Sequence, residues 1–375
     1  MLASHRTGPS IRHVLLEAEV ILLASLVLVT TAVAGAPAQV ASIPGANLQR
    51  PSWSADGSKL SFEANFFEEK RIELYVGTPF EGAFERIQAT KRAASSITEG
   101  FRRSTGGQVA HELTWAPTSV GADLYMFSAS NEGFDYDLYL AGGTPVAANP
   151  GADGGAAWSP DGSSIVFTSA RTGEGDLYLI DTSTIEADPR RLTSMPGSSE
   201  LYVTWSNDGK TLAFVAHTKS GDNIWLLPSV GSKPARLTSW RGNQIRPRFS
   251  PTSSKLAFYA NHEKPGRFDL YVVEVGSSPK VLVRGVYPDA QGPAWTPDGR
   301  HIVYVADDDD AYDPVRAVDV ARQSVRTLQT GTVGNTDLAI TVRDGQLWLS
   351  VVAQGRDNDE VRNFKRLFIW RTSPL

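Results

Sequence analysis

Six positions, read against the aromatic that follows each, form a set that could do chemistry: Arg50, His111, Glu112, Tyr202, Arg246 and Gln291. Two guanidinium groups facing one opening can pair a carboxylate in fork geometry, with Tyr202 and His111 supplying further hydrogen bonds. Glu112 is a ready internal partner for either arginine, so a salt-linked, water-filled rim is the competing expectation. A second basic group, Arg92, Arg102 and Arg103, lies in the segment Lys91 to Gln108, whose net charge is +3. Arginines on a long loop suit a protein partner. An acidic run, Asp307, Asp308, Asp309 and Asp310, offers the oxygen ligands that Ca²⁺ requires, without the Gly and alternation of a calcium loop. Ca²⁺ is thus the one cofactor this composition admits, and no other cofactor is expected.

What places these residues together is a repeat. Trp158-Ser159-Pro160-Asp161-Gly162 is followed by Ile165-Val166-Phe167 and Asp176-Leu177-Tyr178; Trp205-Ser206-Asn207-Asp208-Gly209 is followed by Leu212-Ala213-Phe214 and Asn223-Ile224-Trp225. Further copies begin at Trp53, Trp115, Phe249 and Trp295, with successive anchors 62, 43, 47, 44 and 46 residues apart. That period suits a four-stranded propeller blade. The Asp-Gly pair supplies the tight turn between the first and second strands. Residues three and four before each anchor are then expected at the mouth of the central channel, and the 62-residue interval holds the Lys91 to Gln108 insertion.

Six blades account for residues 50 to 328. The tail provides three more strands around Asp344-Gly345, and an unpaired edge is an aggregation hazard. We therefore expect Ala38 to Ile43 to supply the fourth strand of a seventh blade; the alternative is six blades and an appendage. The fold class is all-β, with residues 50–375 forming one propeller and 37–49 a linker or closing strand.

The quoted phrase resembles the PD40 repeat of TolB-like exported propellers, across about residues 50 to 328. Related patterns occur in the propellers of prolyl-oligopeptidase-type peptidases and in oligogalacturonate lyases. This resemblance implies a protein- or peptide-binding scaffold in a bacterial envelope assembly, a monomeric ring within a larger complex. It departs from TolB in leaving about a dozen residues before blade one, where the family carries an α/β domain. The enzyme alternative is a lyase acting on acidic sugars through His111 and the channel arginines.

Peptidase chemistry of the prolyl oligopeptidase type needs a Gly-x-Ser-x-Gly elbow, which this sequence lacks, and His111-Glu112 is not followed by a second His at zinc-binding spacing. His111, His217, His262 and His301 occupy unlike repeat positions, with His217 and His262 expected in loops. WD40 and sialidase Asp-box signatures do not recur. The turn carboxylates Asp56, Asp161, Asp208 and Asp298 are expected to bond their own backbone, and the anchor tryptophans to fill the wedges between blades.

Residues 1–36 read as a signal peptide: Arg6 and Arg12, an apolar stretch over residues 20 to 29, and Ala34-Gly35-Ala36 as a cleavage pattern. Export to the periplasm is the expectation, with secretion or an uncleaved inner-membrane anchor as alternatives; the anchor is the only membrane contact expected. With no cysteine there is neither a lipid-modified N-terminus nor a disulfide. A net charge of -5 and the lack of a basic stripe argue against nucleic acid.

Overall fold

The computed structural model describes residues 37–87, 109–130, 136–146, 150–185, 187–308, 313–354, 364–372 and 375. The leader, the Lys91 to Gln108 insertion with Arg92, Arg102 and Arg103, Phe134, and Asp309 and Asp310 lie outside them.

Each repeat folds as an antiparallel meander. In blade one Asn47–Trp53 pairs with Leu60–Phe66, which pairs with Arg71–Thr78 and then Ala83–Ile87. The inner strands of blades two to six are Val109–Trp115, Asp153–Trp158, Ser199–Trp205, Gln244–Phe249 and the two-residue Ala294–Trp295. The last unit has Leu338–Arg343, Gln346–Ala353 and Arg366–Arg371, and its fourth strand is Ala38–Ala41. Ala38 lies opposite Ile369 and Ala41 opposite Leu367. The strand expected over Ala38 to Ile43 thus comes from the N-terminal side and pairs where the tail lacked a partner, making seven four-stranded units among the described residues.

Burial explains why the units form a ring. Apolar residues gather into seven clusters, one between each pair of successive blades. The cluster joining last to first combines Val40, Leu48, Trp53, Phe62, Val352, Leu367 and Ile369. Each anchor aromatic sits in such a wedge, and three tryptophans add a polar tie. Trp115 Nε1 donates to Ser52 O at 3.0 Å, Trp205 Nε1 to Ala157 O at 3.1 Å and Trp295 Nε1 to Arg248 O at 3.1 Å. In each case the acceptor is the residue just before the preceding blade's anchor, so one side chain fixes both spacing and register between blades.

The turn carboxylates behave as expected. Asp161 accepts from Ser159 Oγ (2.6 Å) and Ser163 N (3.0 Å), while Ser159 Oγ accepts from Ser164 N (3.0 Å). These hydrogen bonds, from Ser159 first, hold the Asp161 carboxyl below its ordinary range. Asp56, Asp208 and Asp298 repeat the arrangement with Ser54, Ser206 and Thr296.

Blade six breaks the pattern. The outer strand of blade five, Lys280–Tyr287, runs on to pair with His301–Ala306, and residues 288–293 precede the short inner strand, with Ala290 and Gln291 lining the central cavity.

Candidate functional site: the channel mouth

A bulge in each of the first five inner strands builds the mouth. The pairing register shifts between Gln49 and Ser52, His111 and Thr114, Gly154 and Ala157, Leu201 and Thr204, and Ile245 and Arg248. Within each shift the residue three before the anchor has a left-handed backbone: Arg50 (φ 50°), Glu112 (55°), Gly155 (59°), Tyr202 (55°) and Arg246 (56°). Four of these five are not glycine, a conformation L-residues adopt at a cost of about 1 kcal/mol each and one that concentrates at functional positions. The bulge re-aims that side chain. Arg50, Glu112, Tyr202, Arg246 and Gln291 all line one cavity of about 420 Å³, which reaches down the channel to Pro117 and Pro160.

Residues four before the anchors mostly do not share it. Gln49 donates from Nε2 to Glu63 Oε2 at 2.7 Å, while Leu201 and Ile245 pack against the inter-blade cores. Strand alternation sends that position away from the channel, and Gln291 lines it only because blade six lacks a regular inner strand there. His111 lies in the blade-two inner strand, opposite Ser128; its side chain is outside the described residues.

The two arginines differ. Arg50 Nη1 donates to Glu112 Oε1 at 3.3 Å and lies 3.7 Å from Glu63 Oε1. Burial opposes its charge, but Glu63 and then Glu112 outweigh this and raise its pKa above the ordinary value. Glu63 is only 2% exposed and also accepts from Glu112 N (2.8 Å); Glu112 Oε2 accepts from Gly155 N (3.0 Å). This corner is a closed network joining blades one, two and three.

Arg246 stacks on the Tyr202 ring, its guanidinium carbon 3.8 Å from the centroid, a cation–π contact. Among the described residues no carboxylate lies within ion-pairing distance of it. Burial lowers its pKa from the ordinary value, and the Arg50 charge pushes the same way. Arg248, two residues on, is likewise lowered by burial and by Arg246; its Nε donates to Gln291 O at 2.5 Å.

Sequence reasoning missed Arg248, Glu63, Asp289 and Asp337. Asp289 is buried, accepting from Gln291 N (2.7 Å) and Leu338 N (2.5 Å), while Asp337 accepts from Ala290 N (3.3 Å). Burial, then the Asp337 charge, push the Asp289 carboxyl well up. The irregular blade-six segment was the available signal: Asp289 lies in it.

Other expectations fall elsewhere. Asp307 lies 3.6 Å from Arg267 Nε, and Asp308 accepts from Arg316 Nη1 at 3.1 Å. No group of three or more metal-ligating side chains converges among the described residues. Phe66 is buried beneath Arg71, while Phe67 is 83% exposed. His217 lies in the strand Leu212–Thr218, not a loop, with Nδ1 2.6 Å from Asp222 Oδ1; His262 stacks on Trp240 at 4.1 Å.

Residues 198–363 match the family model described as the TolB beta propeller domain, PD40. The chain carries a TolB-like propeller of the PD40 type. A TolB homologue of Chlorobium chlorochromatii is 30% identical over 226 residues, covering 58% of this chain and 46% of that protein. The TolB-like chain thus spans about half the length of that relative. In fold it is similar to TolB from Acinetobacter baumannii (TM-score 0.51, 16% identity, 76% of this chain and 63% of that one). It is also similar in fold to a Mycobacterium tuberculosis puromycin-hydrolyzing peptidase (TM-score 0.56, 15% identity, 89% and 56%). One propeller architecture therefore occurs in proteins of different activity, and function must be argued from the mouth.

Proposed function

We propose that the protein is an exported binding propeller, a scaffold that captures a protein or peptide partner at its channel mouth within a bacterial cell-envelope assembly. The observation that carries this reading is the set of four left-handed, non-glycine residues whose side chains line one cavity. Backbone strain repeated at one position in successive blades is not needed to close a ring, since Gly155 serves there equally well, so its use is to present side chains. The TolB homologues support a protein partner in general terms. Export rests on the leader pattern of residues 1–36.

Affinity capture from the native envelope tests it. Wild-type protein is expected to bring down a partner that Arg246→Ala loses, with both proteins melting alike; equal capture by both would overturn the assignment of the mouth.

A further inference from the structure

The Arg246 side of the channel has a feature that the Arg50 side lacks: cationic groups that form no ion pair among the described residues. Arg246 and Arg248 both line the cavity, and among the described residues neither forms an ion pair. Arg248 is held by design of the backbone. Its side chain lies across Gly292, where φ is +92° and an added Cβ would come within 2.7 Å of Arg248 Cγ and 3.3 Å of Nε. It reaches blade six to donate from Nε to Gln291 O, which leaves the terminal guanidinium nitrogens for another acceptor. Arg246 is fixed by its stack on Tyr202. Two neighbouring guanidiniums with no ion-paired carboxylate among the described residues are an anion site whose charge repulsion an anion would relieve.

We propose that Arg246 and Arg248 together hold the terminal carboxylate of a peptide that enters the channel end-on. This deepens the scaffold reading and rests on it for the class of ligand. A single negative charge fits better than two, because Glu112 lines the same cavity, with Glu63 hydrogen-bonded to its amide, and a dianion such as phosphate would meet their repulsion. A peptide fits better than an acidic sugar because the lining aromatics are engaged by the protein itself. Tyr202 is covered by Arg246, Trp53, Trp158 and Trp205 are buried in the wedges, and the half-buried Trp115 donates from Nε1 to Ser52 O and packs edge-on against Tyr125. The blade-three lining, Gly155, Ala156 and Ala157, carries no side chain larger than methyl and leaves room for a main chain. The cavity runs lengthwise down the bore, so a chain end enters without doubling back.

The test uses N-acetyl-tetraalanine with a free C-terminus and the same peptide as its amide, titrated calorimetrically against the whole protein at low salt. The acid is expected to bind at least about tenfold more tightly than the amide, as charge-assisted pairing to two arginines implies. Arg246→Ala and Arg248→Ala should each abolish that preference, and Arg248→Lys should restore part of it. The wild-type comparison of acid and amide needs no variant, so a misfolded Arg248→Ala protein does not spare the proposal. Equal binding of acid and amide, no binding of either, or a preference that survives both alanine variants would overturn it. Tighter binding of inorganic phosphate, or of digalacturonate in place of the peptide acid, would overturn the ligand assignment. Peptide binding without envelope capture would sink the scaffold role and leave the site; capture that ignores both arginines would do the reverse.

Discussion

Arg50 and Arg246 occupy the same position in two copies of one repeat, three residues before the anchor, with nearly the same backbone angle. One is locked to Glu63 in its own blade and to Glu112 in the next; the other rests on an aromatic ring and forms no ion pair among the described residues. A repeat thus fixes where a side chain is presented, while its neighbours decide whether it serves stability or recognition. The neighbours that decide it are Glu63, on a second strand, and Tyr202, which holds the same repeat position one blade away.

The largest effect should come from removing the buried half of the locked corner. Glu63→Ala leaves Arg50 and the Glu112 amide short of a buried acceptor, and urea unfolding should show a loss of about 3 kcal/mol. Arg50→Ala should cost less, about 2 kcal/mol, because Gln49 and the Glu112 amide still satisfy Glu63. Arg246→Ala relieves charge repulsion with Arg248 and should stay within about 0.5 kcal/mol of wild type. If it destabilises as much as Arg50→Ala, the two corners are not different in kind.

Glu200 sharpens the contrast from a third direction, as a buried carboxyl served mainly by hydroxyls. Burial pushes its pKa up to about 7 despite hydrogen bonds from Ser198 and Thr193. Because the folded state holds this proton more tightly than the unfolded chain, the contribution of Glu200 to stability is complete below about pH 4.5 and is lost as pH rises toward 7. Glu200→Gln should flatten that part of the wild-type stability profile; an unchanged slope would place the titration elsewhere. Tyr202→Ala should cost about 0.5 to 1 kcal/mol in peptide affinity through the lost cation–π support of Arg246.

The architecture was legible in the sequence because the recurring residues do recurring jobs. Trp and Asp-Gly mark wedge and turn, and the three-stranded tail asked for the strand that Ala38–Ala41 provides. The mouth was legible only in part. The positions three before each anchor follow from strand geometry, but alternation turns the residue beside each of them outward, so Leu201 and Ile245 face away from the channel while Arg246 faces into it. Glu63 sits on a second strand, and Arg248 depends on Gly292 in the segment leading into the next blade. Such pairings join residues 13 to 49 positions apart and carry no local pattern.

The most direct measurement is therefore the acid-versus-amide preference for N-acetyl-tetraalanine, taken together with the melting temperature, in Arg50→Ala and Arg246→Ala side by side. Arg246→Ala should lose the preference and keep its melting temperature, while Arg50→Ala keeps the preference and melts lower. The opposite pairing, or equal changes in both variants, would contradict the division of the mouth into a structural and a recognition half.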